Sequence, residues 1–217
     1  WGVGRCGRYD PEAWRAGWGG YPQHDPAALA PVGVDVVGGS AGREAFLEQV
    51  LAVLDHRQAE TVLEQALKRR EFESLPAGGL EQRTRAMLKV QDGCSNFCTY
   101  CIIPYTRGPV RSAPLDTAVA QARALTEQGY REIVVTGIEI ASWGRDLPGK
   151  PGLKTLLEAV CRAVPDRRIR LGSLEPRIVT EEFCRAMAAL PTLCPQFHPS
   201  IQSGCATVLA RQNRQDA

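Results

Sequence analysis

Three cysteines that lie close together in sequence, Cys94, Cys98 and Cys101, constrain this chain more than any other feature. An odd number of neighbouring thiols argues against a disulfide framework, and soft thiolates at this spacing select zinc or iron–sulfur clusters. A structural zinc site is closed by four ligands, yet no further Cys or His follows Cys101 within about fifty residues. The pattern therefore favours a four-iron cube with one iron open to a substrate over a chance triplet or half of a zinc ribbon.

The residues around these cysteines extend the pattern. Tyr100 places an aromatic side chain before the last cysteine, and the wider string runs from Leu88 through Gly93 and on to Gly108. This string resembles the radical S-adenosylmethionine (SAM) superfamily. Within that superfamily it resembles the tRNA methylthiotransferases that act on N6-threonylcarbamoyladenosine. The resemblance covers about residues 20 to 217 and is densest from 84 to 214.

The resemblance implies a set of cofactors. Cys94, Cys98 and Cys101 would each bind one iron of a [4Fe–4S] cluster, and SAM would bind the fourth iron through its amino and carboxylate groups. An electron from the reduced cluster would then cleave SAM to a 5′-deoxyadenosyl radical. The family also carries a second [4Fe–4S] cluster, and it takes its electrons from a reductant such as flavodoxin or ferredoxin.

The activity that the resemblance implies is transfer of a methylthio group to C2 of N6-threonylcarbamoyladenosine, next to the anticodon of tRNA. The strings Gln91-Asp92-Gly93 and Gly137-Ile138-Glu139-Ile140 favour this branch over sister enzymes that act on isopentenyladenosine or on a ribosomal protein. Two alternatives stay open at this point. One is another radical SAM reaction that uses a single cluster, and the other is a zinc-binding nucleic-acid module without catalysis.

Composition sets broad limits on the chain. Its 217 residues are 44% hydrophobic and its net charge is +2, which neither demands nor excludes a nucleic-acid partner. It has no apolar run of eighteen residues, so no membrane span is expected. Eight cysteines, three of them clustered, suggest metal in a reducing compartment, and we expect a cytoplasmic protein. The absence of an initiator Met predicts a fragment or a processed piece.

The first part of the chain suggests a small α/β domain. Residues 1–20, rich in Trp, Gly and Arg, show no periodicity and predict an irregular segment unlike the family. Residues 21–75 are interpreted as a remnant of the family's α/β N-terminal methylthiotransferase domain, followed by a charged linker helix. A strand is expected at Val34–Val37, and Ser40 is expected to cap the helix that follows it.

The second part, residues 84–217, alternates strands with helices. Strands are expected at 85–90, 132–137, 168–173 and 197–202, with helices at 112–128, 152–163, 180–190 and from 204 onward. Such alternation predicts a parallel sheet with right-handed crossovers. Together with the resemblance, it predicts an α/β fold: a partial, truncated radical SAM β/α barrel, preceded by the N-terminal remnant.

Functional groups in parallel α/β sheets gather at the carboxyl ends of the strands. The cysteine loop follows the first of these strands, and strings beginning at Thr136, Gly172 and Ser203 follow the other three. By resemblance, the backbone beside Tyr100 contacts adenine, and Thr136 and Gly137 contact the SAM amino group. Glu139 either neutralises that ammonium or is a solvated loop charge. Ser173 and Gln202 either bind ribose or carboxylate or are ordinary polar strand ends.

Two arginines flank the cysteine loop. Arg107 and Arg111 are the candidates for contact with RNA, by phosphate pairing or base stacking. They could equally be a structural pair that ties down the loop.

The chain departs from the family in its first half. Gly20 stands where the family's string has a cysteine ligand of the second cluster. Cys6 is the only cysteine in the sequence before the cysteine loop. The ligands of the second cluster are therefore expected to be absent here. The last barrel strands and the C-terminal RNA-binding domain are also expected to be missing. We accordingly expect that this chain alone is an incomplete form that does not methylthiolate tRNA.

Overall fold

The computed structural model describes residues 14–55, 61–75 and 84–214. Contacts divide the chain into two compact units, one formed by Trp1–Arg69 with Ile102–Gly108 and the other by Arg70–Cys101 with Pro109–Ala217. The chain therefore leaves the second unit directly after Cys101 and re-enters it at Pro109. The predicted domain limits at 1–20, 21–75 and 84–217 stay a prediction.

Among the residues that the structure describes, the first unit contains two short strands and three α-helices. Strand β1 (Ala16–Trp18) runs parallel to β2 (Val36–Gly38), with Gly17 opposite Val37. The helices are α1 (Gly20–His24), α2 (Arg43–Leu54) and α3 (Ile103–Arg107), and 3-10 turns span Ala27–Val32 and Ala66–Lys68. Its buried apolar side chains include Val36, Ala52, Val53 and Ala66.

Three expectations for this unit are wrong. Residues 16–18, within the segment expected to be irregular over 1–20, form strand β1, which is too short to produce a recognisable period. Ser40 does not cap α2, which begins after Gly42, because its hydroxyl donates to the Thr106 carbonyl. No linker helix forms at residues 61–75, where Val62 instead extends the pairing of β2 through Gly38. Residues 1–13 and 56–60, with Cys6, lie outside the described residues.

The second unit is built on three parallel strands in the order β3, β6, β7. They are β3 (Arg85–Lys89), β6 (Glu132–Thr136) and β7 (Arg168–Leu171), with Arg85 opposite Glu132 and Glu132 opposite Arg168. Two-residue strands form the antiparallel pair β4 (Gln91–Asp92) with β5 (Arg111–Ser112) and the parallel pair β8 (Ser173–Leu174) with β9 (His198–Pro199). The predicted parallel α/β arrangement is confirmed. Its extension to a barrel stays a prediction.

One face of this sheet forms the apolar core. Ala86, Leu88, Ile133, Val135 and Ile169 alternate along the strands and are at most 1% exposed. The helices of the unit are α4 (Leu115–Glu127), α5 (Leu153–Ala163), α6 (Glu181–Ala188) and α7 (Ala206–Arg211). The core cluster contains buried side chains of α4, α5 and α6 together with those of the strands. This explains why the 3.6-residue and two-residue periods could be read from the sequence.

The local signals in this unit gave mixed results. Thr180, the first residue of the helix expected at 180–190, caps α6, with its hydroxyl accepting from the Phe183 amide at 3.2 Å. Gly129 follows α4 with φ +90, which suits a helix stop. The expected fourth strand over 197–202 is reduced to β9, and Pro199 within it has no amide hydrogen to donate to a neighbouring strand.

The sequence predicted no membrane span, and the helices can be compared with that prediction. In the part of the chain that the structure describes, none combines the length and the apolar character that crossing a bilayer requires.

Candidate functional site

The cysteine loop starts directly after β4, at the carboxyl end of the sheet. Cys94, Cys98 and Cys101 are all half-buried free thiols, and the Cys101 amide donates to the Cys98 carbonyl at 2.9 Å. Burial raises the pKa of the Cys94 thiol to about 11, a hydrogen bond from the Asn96 backbone opposes the shift, and nearby Glu139, Cys101 and Cys98 add to it. A metal binds the thiolate, so binding at Cys94 must displace a proton.

The donor set fits an iron–sulfur cube by its chemistry. Within the described ranges, no three side chains of the Cys, His, Asp or Glu type are arranged to hold a single metal ion. A cube takes one thiolate at each of three irons, so it does not require the three sulfurs to converge on one metal. Three soft thiolates in one loop remain the ligand type that such a cluster takes.

Gln91 joins the cysteine loop to the loop that follows β6. Its side chain is fully buried, and its amide nitrogen donates to the carbonyls of Asp92 at 2.9 Å and Gly93 at 2.6 Å. Its amide oxygen accepts from the backbone of Glu139 at 2.7 Å. The buried Gln91 side chain therefore holds Gly93, which precedes Cys94, and Glu139, which lies in the loop after β6. All of these hydrogen bonds lie within the second unit.

Gly137 makes this joint possible. A Cβ atom at Gly137 would lie 2.8 Å from the Gln91 side-chain oxygen and 2.9 Å from its backbone oxygen. Only glycine permits so close an approach. Thr136 ends β6 opposite Lys89, and its carbonyl accepts from the Val90 amide at 2.9 Å. Thr136 and Gly137 thus lie against Val90 and Gln91, which lead into the cysteine loop, and their contact with SAM stays a prediction.

Glu139 is half-buried, and one oxygen of its carboxyl group is fully buried. Burial raises its pKa, and the neighbouring Glu175 carboxylate adds to the shift, while a hydrogen bond from the Ser142 hydroxyl, Arg145 and Arg177 oppose it. Ser142 donates to Oε2, whereas Oε1 is buried with no hydrogen-bond partner among the described residues. A buried carboxylate oxygen left unpartnered is costly unless a ligand reaches it. This is the property that an ammonium group would satisfy.

Glu175 lies beside Glu139 and was not among the predicted site residues. Its side chain is 5% exposed, with Oε2 at 2.6 Å from the Arg177 guanidinium. Its Oε1 accepts from the Asn96 side chain at 3.4 Å, which ties it to the cysteine loop. The sequence offered one signal for it, since Glu175 belongs to the string that follows the third predicted strand.

The remaining predicted cofactor residues have varied surroundings. Tyr100 is 53% exposed, and its hydroxyl interacts with Arg214 and Cys98. Ser173 begins β8, and its hydroxyl is 3.0 Å from Nδ1 of His198. Gln202 is exposed and has a φ of +53. The structure leaves the side chains of Tyr100 and Gln202 open to a ligand, whereas the Ser173 hydroxyl is already hydrogen-bonded.

The two flanking arginines differ. Arg111 is 3% exposed, donates to the Pro109 carbonyl at 2.9 Å and lies 3.8 Å from the Asp92 carboxylate. It therefore ties down the loop, and a group this buried cannot reach RNA without rearrangement. Arg107 is the last residue of α3, which belongs to the first unit.

In the first unit, Gly20 begins α1 and has no side chain to act as a ligand. A Cβ atom there would be 3.4 Å from the Thr106 hydroxyl, an ordinary contact distance.

Comparison with known proteins places these features in a family. Residues 88–216 match the model of the radical SAM superfamily. The threonylcarbamoyladenosine tRNA methylthiotransferase MtaB of Bacillus subtilis is 36% identical over 213 residues, which is 98% of this chain and 47% of that protein. A tRNA-2-methylthio-N(6)-dimethylallyladenosine synthase of Chlorobium luteolum is 39% identical over 134 residues, 62% of this chain and 30% of the relative.

Solved structures agree at the level of fold. The radical SAM methyltransferase TsrM of Kitasatospora setae matches with a TM-score of 0.60 and 18% identity, covering 89% of this chain and 42% of that one. The chain spans about half the length, or less, of the curated relatives that it matches.

Proposed function

The chain belongs to the radical SAM superfamily, and from that premise we propose that its second unit holds a [4Fe–4S] cluster on Cys94, Cys98 and Cys101 and binds SAM at the open iron. The observation that supports this most strongly is the buried Gln91 side chain. It links the cysteine loop to the Thr136–Glu139 loop at the carboxyl end of one parallel sheet, where such folds place their chemistry.

The residues around the cluster would bind and orient SAM. A bound, reduced cluster would supply the electron that cleaves the SAM sulfonium to a 5′-deoxyadenosyl radical. The orphaned Oε1 of Glu139 would accept from the SAM ammonium, and Thr136 and Gly137, which precede it in the same loop, would contact the same amino group. The backbone beside Tyr100 would contact the adenine, and the exposed Gln202 side chain would bind the ribose or the carboxylate. The Ser173 hydroxyl could bind SAM only after breaking its hydrogen bond with His198.

The acidity of Glu139 fits this role. Its pKa is raised mainly because burial disfavours the charged form. An ammonium placed at its free oxygen would favour the charged form and lower that pKa again. SAM would thus pair with a carboxylate that is costly to keep charged in its absence.

For the whole protein we propose transfer of a methylthio group to C2 of N6-threonylcarbamoyladenosine in tRNA, next to the anticodon, with a flavodoxin or ferredoxin as electron donor. The names of the B. subtilis and C. luteolum relatives support tRNA methylthiotransfer in general. The match to the threonylcarbamoyladenosine enzyme along 98% of the chain favours that nucleoside over dimethylallyladenosine. Arg107 is the remaining candidate for RNA contact, since Arg111 is committed to the loop.

One experiment tests the cluster and SAM cleavage, and a second tests the tRNA substrate. Anaerobic reconstitution with iron and sulfide, followed by metal analysis, should give near four irons per chain. Stoichiometric zinc without iron would instead support a zinc module. SAM cleavage to 5′-deoxyadenosine should then occur with dithionite in the native chain and in Cys205→Ala, whose cysteine is exposed and outside the loop. It should be absent in Cys98→Ala.

The substrate is tested by adding tRNA to the same reaction. We expect tRNA carrying N6-threonylcarbamoyladenosine to raise the yield of 5′-deoxyadenosine more than tRNA carrying dimethylallyladenosine. The reverse order would contradict the proposed nucleoside while leaving the radical SAM assignment intact.

A further inference from the structure

The residues at the carboxyl end of helix α7, more than 100 positions later in the sequence, form hydrogen bonds with the cysteine loop. The Thr99 amide, between Cys98 and Cys101, donates to the Gln212 carbonyl at 3.1 Å. The Thr99 hydroxyl lies 3.5 Å from the Arg211 carbonyl. A helix leaves its last carbonyls without hydrogen-bond donors. At the end of α7, Thr99 of the cysteine loop supplies those donors.

Asn213 makes the contact with the other half of the loop. Its side-chain amide donates to the carbonyls of Asn96 at 3.3 Å and Phe97 at 3.2 Å. Both carbonyls lie between Cys94 and Cys98. An amide nitrogen carries two hydrogens, so one side chain can hold two consecutive carbonyls.

The backbone conformation at both ends of this contact is uncommon. Asn213 has φ +55 and Phe97 has φ +49. Asparagine adopts this left-handed region readily, whereas a bulky aromatic residue does so at a cost and needs support from its surroundings. The two bonds from Asn213 stabilise the turn at Phe97, the residue that immediately precedes Cys98.

We infer that Asn213 is a positioning residue for the cluster ligands: it fixes the turn at Phe97 and so sets the spacing of the Cys94 and Cys98 thiols. The inference rests on the proposed function for its consequence, but its geometry does not involve a cluster. The neighbouring contacts to this part of the loop are longer, with the Val110 amide 3.4 Å from the Ser95 hydroxyl and the Asn96 side chain 3.4 Å from Glu175. Asn213 thus adds two side-chain hydrogen bonds, at 3.3 and 3.2 Å, to the consecutive carbonyls of residues 96 and 97.

Amide hydrogen exchange in the metal-free chain tests the contact itself. Asn213→Gly keeps the left-handed backbone without strain and removes both donors. We expect the amides of 96–101 to exchange about tenfold faster, the equivalent of two modest hydrogen bonds. Amides of α7 and of strands β3, β6 and β7 should be unchanged. Arg211→Gln, an exposed position in the last turn of α7, is the control and should leave the loop unchanged.

A second variant guards against an effect of glycine alone. Asn213→Asp has nearly the same size and also tolerates the left-handed region, yet its carboxylate cannot donate. It should speed exchange of the loop as Asn213→Gly does. Unchanged exchange in both variants would overturn the inference. Faster exchange that spreads equally through α7 would also overturn it, because Asn213 would then only end the helix.

Iron retention tests the consequence. After reconstitution, Asn213→Gly should lose iron to a chelator several-fold faster than the native chain and Arg211→Gln. Equal rates would contradict a role in positioning ligands even if the loop were more mobile. Failure of the native chain itself to take up iron would reject the proposed function, whereas the exchange result would still decide whether Asn213 holds the loop.

Discussion

The two units of this chain are stabilised in different ways. In the second unit, strands and helices share an apolar core in which Leu88, Leu156 and Ile169 are fully buried. In the first unit the leucines of α2 that recur at helical spacing, Leu47 and Leu51, are each 58% exposed. The first unit also has buried apolar side chains, such as Val36 and Val53, but in addition it buries a charged group.

That group is the guanidinium of Arg69, whose side chain is 6% exposed. It donates to the Ser40 hydroxyl at 2.7 Å, to the Gln23 side chain at 3.0 Å and to Glu64 at 3.0 Å. Ser40 in turn donates to the Thr106 carbonyl. Residues far apart in sequence, including one from α3, are joined through one arginine.

The difference teaches where each unit is vulnerable. An apolar core loses stability gradually as methyl groups are removed, whereas a buried polar network leaves several groups unsatisfied when one member is lost. The cysteine loop ends at Cys101, where the chain enters the first unit through α3.

The largest expected effect compares the same substitution in two environments. Leu156→Ala in α5 removes a fully buried side chain and should destabilise the second unit by about 2–5 kcal/mol. Leu51→Ala in α2 removes an exposed one and should cost less than about 0.5 kcal/mol. Urea unfolding with hydrogen exchange on each unit measures both. Equal losses would contradict the contrast between the units.

Removal of the buried charge comes next. Arg69→Met leaves Ser40 and Gln23 without their partner and should destabilise the first unit by about 3 kcal/mol. The amides of α3 should exchange faster, while the sheet of the second unit should not. Lys68→Met, at an exposed neighbouring position, is the control. If Arg69→Met matched this control, the network would be incidental to the stability of the unit.

A smaller effect is expected at the joint in the second unit. Gln91→Met keeps the length of the side chain but removes the bonds to Gly93 and Glu139, at a cost of about 2 kcal/mol. We expect faster exchange of residues 91–94 and 136–139 together. Slower SAM cleavage should accompany it. Faster exchange of only one of these two segments would show that Gln91 does not couple them.

The smallest effect is a pH dependence. Hydrogen bonding and charge attraction from Arg170, with help from Arg85, lower the pKa of Glu132. A carboxyl group whose pKa is lowered on folding stabilises the protein above its unfolded pKa, and this contribution disappears as the pH falls through the folded value. Glu132→Gln should therefore cost less than about 1 kcal/mol at pH 7.

The difference between native chain and Glu132→Gln should vanish in acid, below the lowered pKa of Glu132. Unfolding measured from pH 7 downward tests this. A difference that stays constant with pH would mean that the variant acts through packing and not through charge.

The sequence predicted the parts of the molecule in which local pattern and burial agree. The strands at Arg85–Lys89, Glu132–Thr136 and Arg168–Leu171 lie within the stretches expected at 85–90, 132–137 and 168–173, and the cap at Thr180 agrees with its residue type. The ligand triplet was evident because its spacing is local. The positions of these side chains in a working site stay a prediction.

What the sequence did not predict depends on distant partners. Ser40 is of a residue type that often caps helices, but its hydroxyl forms hydrogen bonds with Arg69, 29 residues away, and with Thr106. Asn213 contacts Phe97 across 116 residues, with no local signal except its helix-terminal position. For Arg111 the sequence left an RNA contact and a structural role equally open, and only its pairing with Asp92 across the β4–β5 pair favours the structural role. Local pattern carries no information on such pairs.

The most direct test of the central claim is the EPR spectrum of the reduced, reconstituted chain with and without SAM. If Cys94, Cys98 and Cys101 hold a cube with an open iron, and Glu139 lies ready for the SAM ammonium, saturating SAM should change the spectrum by ligating that iron. A four-iron signal that SAM leaves unchanged would contradict the proposed SAM site. The absence of any four-iron signal would contradict the cluster itself.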